Sequence, residues 1–316
     1  MMATLKELAQ VEERFVGGHR LCAGCGHGIS VRMVLNALEN DENVVVGCAT
    51  GCLEVASTIY PYTAWNCSFI HNAFENAAAT ISGVEAAYRS LKKQGKLKDD
   101  FKFVAFGGDG GTYDIGLQSL SGAMERGHKM VYVCLDNGAY MNTGIQRSSA
   151  TPIGADTTTS PAGKVIPGKQ QPRKDLAALI AAHNIPYVAQ TAISNWQDVH
   201  KKAKKAFEVD GPAFINILSP CPRGWRYNTP DIVDLVKKAV ETRFWPLYEV
   251  EDGKWKLNSK PKKYVSVEEF LKPQGRFKHV FAPGNEDLLK RIQEEVDKQW
   301  LALLERCGEE PELPPR

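Results

Sequence analysis

The sequence predicts an α/β protein built on a doubly wound, mostly parallel sheet. Three observations carry that expectation. Short, fully apolar runs rich in β-branched residues recur along the chain. Helical stretches lie between them. Glycines and polar residues gather at the carboxyl ends of the runs. Runs of this kind suit strands buried on both faces, and strands alternating with helices form parallel sheets. Ligands of such sheets bind at the carboxyl ends of the strands.

Taken in order, residues 44–46 form the first strand-like run, which ends in Gly47. Residues 72–94 are Ala-rich and read as a helix, stopped by Gly95. Residues 103–106 lead into Gly107-Gly108-Asp109-Gly110-Gly111, and residues 115–126 read as the helix that follows. Residues 131–135 are a third strand, ending in Asp136-Asn137-Gly138. Helices are predicted over 175–183, 196–208 and 231–244, with strands over 186–189 and 213–218 between them. From residue 245 the character changes. Residues 245–278 are rich in Lys and Pro and lack a long apolar period, which predicts a solvated extension or a docking arm. Leu289, Ile292, Val296, Trp300, Leu303 and Cys307 then step by three or four, an amphipathic helix that packs either on its own core or on another subunit. Residues 308–316, rich in Pro and Glu, are expected to fray. The chain thus divides into a domain over 1–244 and a subunit-docking C-terminal extension over 245–316.

The 316 residues hold 39 Lys and Arg against 37 Asp and Glu, a net charge of +2. That balance leaves no global footprint for nucleic acid or an anionic membrane. No run of 18 apolar residues predicts a transmembrane helix. The first twenty residues include Lys6, Glu7, Glu12, Glu13 and Arg14 and lack the apolar core of a signal peptide, which predicts a cytoplasmic chain.

There are eight cysteines. A cytoplasmic chain keeps thiols reduced as a rule, so they are buried small residues or ligands. Cys22-Ala23-Gly24-Cys25-Gly26 is a C-x-x-C turn that aims two sulfurs at one centre. Cys48 and Cys52 follow the first strand, and Cys221 in Pro220-Cys221-Pro222 follows the last. Two thiols from the turn and one from each strand end make a four-thiolate site, suited to zinc or to a cubane iron–sulfur cluster. Cys67, Cys134 and Cys307 read as structural.

Residues 107–111 form a Gly-rich strand-to-helix turn, whose free N–H groups and helix dipole favour phosphate. An acid inside that turn, Asp109, suits Mg²⁺. The next strand brings the Asn137 amide alongside, and a carbonyl just after it offers a third oxygen. Each turn alone is only a turn. Paired across adjacent strands, they form the Gly-Asp-Gly…Asn pattern of thiamine diphosphate binding. A nicotinamide fingerprint is absent.

With these motifs, residues 22–26, 49–52, 74–77, 107–111, 139–146 and 220–222 resemble the β subunits of the pyruvate:ferredoxin oxidoreductases, and more broadly the 2-oxoacid:ferredoxin oxidoreductase family. The resemblance runs from His19 to Lys278, with the motifs in order. It implies thiamine-dependent oxidative decarboxylation of a small 2-oxoacid. Electrons would pass through a [4Fe–4S] cluster to ferredoxin, and coenzyme A would accept the acyl group. Cys22, Cys25, Cys52 and Cys221 match the cluster ligands, and Cys52 is preferred to Cys48 because the ligand follows Thr-Gly. Asp109, Asn137 and the Ala139 carbonyl match the magnesium ligands, and Gly108, Gly110 and Gly111 the diphosphate loop. His27 and Cys52 match positions lining the cofactor, although His27 reads nearly as well as a helix cap. Tyr140, Met141 and Asn142 match the turn over the reactive ring, with Asn142 nearest the substrate and the catalytic candidate. His71 is read as structural.

The same resemblance implies partners. The carboxylate that activates the aminopyrimidine ring of such enzymes has no evident source here, nor has a module for further clusters. The chain is therefore expected to work with α, γ and δ-type subunits. Gly138 stands where many pyruvate enzymes carry a larger residue, so oxalate or 2-oxobutyrate are alternatives to pyruvate. Two rival readings are a non-oxidative thiamine lyase with a structural zinc and a non-enzymatic assembly protein.

Overall fold

The computed structural model describes residues 4–315. The start of the first-twenty-residue stretch, residues 1–3, and the terminal Arg316 lie outside the described residues. The strands are β1 (Asn43–Ala49), β2 (Ser68–Asn72), β3 (Phe101–Gly108), β4 (Val131–Asp136), β5 (Tyr187–Ala192), β6 (Ala213–Leu218), β7 (Tyr248–Glu251) and β8 (Lys254–Leu257). They form one sheet in the order β2-β1-β3-β4-β6-β5-β7-β8. The first six are parallel, and β7 and β8 add antiparallel at one edge. The chain passes from β1 outward to β2 and then back to β3 on the other side, so a topological switch lies between β1 and β3. There the connections part and leave a crevice at the carboxyl ends.

The helices are α1 (Leu5–Leu8), α2 (Gly26–Leu35), α3 (Cys52–Ser57), α4 (Ala77–Lys93), α5 (Leu117–Glu125), α6 (Leu176–Ala181), α7 (Trp196–Glu208), α8 (Pro222–Trp225), α9 (Ile232–Glu241), α10 (Glu268–Leu271) and α11 (Glu286–Arg306). Strands β4, β5 and β6 are buried along their whole length. One apolar layer packs Val31 and Val34 of α2, Val199 of α7 and Leu235 of α9 against Val46, Val133 and Ile215. The other packs Ile81 of α4, Leu120 of α5 and Ile180 of α6 against Ala105, Tyr132 and Phe214. Each fully buried Leu, Ile or Val contributes roughly 1.5–3 kcal/mol of transfer free energy, so the two layers dominate stability.

Several expectations need correction. The helix expected over 72–94 begins only at Ala77, because residues 68–72 form β2. The helix expected over 115–126 is preceded by a π-helical turn, Gly110–Ile115, and starts at Leu117. Within residues 245–278, expected as a solvated extension or a docking arm, β7 and β8 extend the main sheet and Phe270, Leu271 and Phe277 are fully buried. Of the two alternatives for the amphipathic helix the first holds: Leu288, Ile292, Val296, Trp300 and Leu303 of α11 are buried on their own chain. The tail expected to fray is tied down. Tyr264 N donates to Pro315 O at 2.7 Å, and Trp300 Nε1 to Glu312 O at 3.2 Å.

Candidate functional site

The carboxyl ends of β1, β3 and β4 meet at one cleft. It is lined by His27, Cys52, Gly108, Asp109, Gly110, Gly111, Asn137, Ala139, Tyr140, Met141 and Asn142, together with Thr50, Gly51, Phe74 and Thr143. Every residue singled out in the sequence for the diphosphate, the ion and the ring thus faces the same space. Asp109 follows β3 and is 1% exposed. Its Oδ1 accepts from Asn137 N at 3.3 Å, and its Oδ2 from Ser148 Oγ at 2.5 Å. Burial, and then the nearby Asp136, push its carboxyl up to about 8. A carboxylate placed so becomes an ordinary anion only when a cation stands beside it.

The adjacent turn supplies the rest of such a site. Asn137 Oδ1 stands 2.9 Å from Asp109 Oδ1 and 2.8 Å from the Ala139 carbonyl oxygen, three acceptors facing one another. Rotating the amide would turn its nitrogen onto both and leave its oxygen to accept from His27 Nε2 at 3.2 Å. A cation satisfies the same geometry without rotation. Oxygens at about 2.0–2.1 Å around octahedral Mg²⁺ lie about 2.9 Å apart along each edge. The donor set of one carboxylate and two neutral oxygens fits that ion. The π-helical turn beginning at Gly110 leaves the first N–H groups of the Gly-rich segment without helical partners, as a diphosphate requires. Gly110 has no room for a side chain: a Cβ there would lie 2.3 Å from the Tyr140 ring, whose Oη donates to Gly110 O at 2.8 Å. Tyr140 in turn meets Phe74 edge-on at 6.1 Å. Asn142 is exposed at the mouth of the cleft.

His27 does not cap α2, where Cys25 occupies the N-cap position. It is buried, and its Nε2 lies 3.2 Å from the Asn137 amide nitrogen, while its Nδ1 has no partner. Burial pushes its pKa down to about 4, so the ring is neutral at pH 7. His71 stands outside the cleft, 3.5 Å from Glu54 Oε1.

Beside the cleft lie Cys22, Cys25, Cys52 and Cys221. The C-x-x-C turn closes with Cys25 N donating to Cys22 O at 3.0 Å, and Gly26 N donates to Pro220 O at 2.9 Å. A Cβ on Gly26 would lie 2.7 Å from the Ser219 backbone, so only glycine lets the turn reach the Cys221 loop. Burial pushes Cys25 up to about 12, and the neighbouring thiolates of Cys221, Cys52 and Cys22 push further. Burial likewise holds Cys52 at about 12, with Cys221 and Cys22 again adding. Thiols held in this way, as Cys25 and Cys52 are, ionise readily only beside a cationic centre. Backbone N–H groups already point at them, from His27 to Cys25 and from Gly224 and Arg223 to Cys221. The Gly224 bond is 3.3 Å long. Among the described residues no three His, Cys, Asp or Glu side chains converge as a single ion requires. Cys48 takes no part: it is buried on β1 and its Sγ reaches only Ala49 O, at 3.5 Å.

Several supporting residues escaped the sequence reading. Ser148 holds Asp109, and Thr151 Oγ1 donates to Gly138 O at 2.7 Å. Trp225 Nε1 donates to Asn137 O at 2.6 Å. Only the position of Ser148, just beyond the Tyr140 to Gln146 turn, could have suggested it. Gly138, at φ +73°, does not open the cleft. A Cβ there would face Arg276 Nη1 at 3.1 Å and Pro152 Cδ at 3.6 Å. A wider hollow at the amino ends of β1, β3 and β4, lined by Asp41, Glu42, Asp99, Asp100 and Asp210, holds none of these residues. It also lies at the wrong end of a parallel sheet for a ligand site.

The family model described as thiamine pyrophosphate enzyme, C-terminal TPP binding domain, matches residues 45–217. The pyruvate synthase subunit PorB of Thermotoga maritima is 52% identical over 312 residues, covering 96% of each chain. The PorB subunit of Methanocaldococcus jannaschii is 51% identical, over 91% of this chain and 95% of its own. The ketoisovalerate oxidoreductase subunit VorB of Pyrococcus abyssi is 44% identical, over 91% and 92%. A solved 2-oxoglutarate:ferredoxin oxidoreductase from Magnetococcus marinus superposes with a TM-score of 0.55 at 23% identity. That match covers 71% of this chain and 79% of that one and bears on the fold alone.

Proposed function

Because the chain belongs to the β subunits of the pyruvate:ferredoxin oxidoreductases, within the 2-oxoacid:ferredoxin oxidoreductase family, we propose that it holds thiamine diphosphate, Mg²⁺ and one [4Fe–4S] cluster in the oxidative decarboxylation of pyruvate. Coenzyme A is the acyl acceptor and ferredoxin the electron acceptor, and the chain works with α, γ and δ-type subunits. The observation that carries this reading is the trio of oxygens on Asp109, Asn137 and Ala139, in a cleft whose wall includes one of four neighbouring thiols.

When bound, thiamine diphosphate would supply a carbon nucleophile for the 2-oxo carbon and an electron sink for decarboxylation, and a cluster would supply one-electron transfer. The residues serve that chemistry as follows. Asp109, the Asn137 amide oxygen and the Ala139 carbonyl would hold the ion, and Gly108, Gly110 and Gly111 the diphosphate. Neutral His27 steadies the Asn137 amide. Tyr140 and Met141 wall the ring, and Asn142 at the mouth meets the substrate. Cys22, Cys25, Cys52 and Cys221 would hold the cluster, and Cys52, shared by the cleft wall and the thiol group, brings the two centres close.

The test is an anaerobic preparation of the whole complex. Iron content and a visible spectrum that bleaches on reduction are expected, with zinc absent. Ferredoxin reduction is then compared across pyruvate, 2-oxobutyrate, 2-oxoglutarate, branched 2-oxoacids and oxalate, with and without coenzyme A. Fastest turnover on pyruvate with coenzyme A is expected. Zinc in place of iron, or thiamine-dependent turnover that never reduces ferredoxin, would overturn the reading in favour of a non-oxidative enzyme.

A further inference from the structure

Arg276 is a guanidinium only 2% exposed, carried by the 3₁₀ turn Gly275–Phe281. Its Nε donates to Gln274 Oε1 at 2.9 Å. Its plane lies 3.9 Å from the centre of the Trp225 ring and 5.0 Å from that of Phe277. Trp225 ends α8, whose N-cap is Cys221. Its backbone N–H donates to Cys221 O at 2.9 Å, and its indole N–H to Asn137 O at 2.6 Å. On the opposite side, Arg276 Nη1 fills the space a side chain at Gly138 would need. Arg276 therefore sits between two turns, one bearing Asn137 and one bearing Cys221.

A buried cation is costly without a counter-charge. Arg173 pairs with Asp136 at 2.6 Å, Arg243 with Asp297 at 2.7 Å and Lys202 with Asp198 at 2.8 Å, whereas the buried Lys169 and Arg14 each donate to three backbone carbonyls. Among the described residues no carboxylate forms an ion pair with Arg276. Burial pulls its pKa down to about 9, against the opposing pull of Asp136, Cys221 and Asp109. Asp136 already accepts from both Arg173 and Tyr113. Cys221, once a thiolate, and Asp109, which faces the ion site, are the other anions that act on it.

We infer that Arg276 is a positioning residue for the [4Fe–4S] cluster, a role that rests on the cluster reading above. Its fixed positive charge offsets the thiolates on the Cys221 side, and its stack on Trp225 locks the cluster turn to the magnesium turn. Reduction adds one negative charge to the cluster. A nearby cation favours the reduced state and raises the reduction potential.

The experiment uses the anaerobically purified complex, wild type and with Arg276→Gln, Arg276→Met or Arg276→Lys. Iron content is measured, and the cluster is titrated potentiometrically by its electron paramagnetic resonance signal. The centre is identified as the signal lost in Cys221→Ser. Arg276→Gln and Arg276→Met are expected to shift its potential to more negative values, and Arg276→Lys to restore most of the shift. An unshifted potential in both neutral variants overturns the inference. So does an equal shift in Arg276→Lys, which would make packing, not charge, the cause. If neither neutral variant loads iron while Arg276→Lys does, the charge is needed at assembly and the inference stands. Failure of all three alike overturns it. A wild type with no Cys221-dependent signal sinks the cluster reading itself, a result distinct from any of these.

Discussion

Asp109 owes its power as a ligand to two neighbours, only one of which is visible in the sequence. The Gly-rich turn that carries it is plain as a string of residues, and so is the asparagine one strand away. Ser148, which donates to Oδ2, belongs to an irregular loop whose fold no local pattern announces. Removing the groups that orient a metal ligand typically costs 10–100-fold in metal affinity. Ser148→Ala is therefore expected to weaken Mg²⁺ binding by about 10–100-fold without unfolding the chain, read as Mg²⁺-dependent thiamine diphosphate binding by calorimetry. Unchanged affinity would mean that Asp109 is held by the backbone alone. The cysteines divide in the same way. Spacing separates Cys221, at a strand end, from Cys307, on an apolar helix stripe, and the structure puts Cys307 partly buried against the second core layer. Cys221→Ser is expected to abolish ferredoxin reduction and Cys307→Ser to leave it near wild type. Equal losses would refute the ligand assignment.

Among the elements, those that show in the sequence are the ones whose burial is uniform. Strands β4, β5 and β6 are apolar because both faces are covered, so their runs stand out. Strand β2 is an edge strand with polar ends and one partner, and β7 and β8 form a hairpin among lysines whose partners are remote in sequence. A period-two signal over four residues is too short to separate from loop. That hairpin holds a titration that checks its place in the sheet. Glu249, 1% exposed at its side chain, would be pushed up by burial. Hydrogen bonds from Lys205, Asn258 and Tyr187 outweigh that and hold it at about 2. A carboxyl with a lowered folded-state pKa stabilises above its unfolded value and loses that contribution as pH falls through the folded one. Glu249→Gln is thus expected to lower the thermal midpoint at pH 7, by at most about 3 kcal/mol of stability. The gap to wild type should close as pH drops from about 5 towards 2. A gap constant with pH would show that shape, not charge, matters there. Beside the loop that follows β6, Gly26 gives the matching steric test. Gly26→Ala drives a methyl into the Ser219 backbone and should strip iron from the complex, whereas Gly83→Ala in α4, with nothing within 4 Å, should keep iron at wild-type level.

For the molecule as a whole, the sheet and the position of its crevice follow from the alternation of strands and helices. The contribution of residues 245–316 does not. Those residues looked like an appendage because their apolar positions are spread among lysines and prolines, yet they complete the sheet edge and deliver Arg276 to the centre. The same whole-molecule view shows what the cleft lacks. Among the described residues that line it, the only carboxylate is Asp109, and it faces the ion site. His27 lies at the same end of the cleft and turns its Nε2 to Asn137. The carboxylate that activates the ring is therefore expected from another subunit. The isolated chain with Mg²⁺ is expected to bind thiamine diphosphate but to exchange the thiazolium C2 proton for deuterium at close to the rate of the free cofactor. Adding the partner subunits should accelerate exchange by the 10²–10⁴-fold typical of general acid–base assistance. The measurement is quenched-flow exchange read by proton magnetic resonance. If the isolated chain exchanges as fast as the complex, the activating group lies within these 316 residues after all, and His27 becomes the first residue to replace.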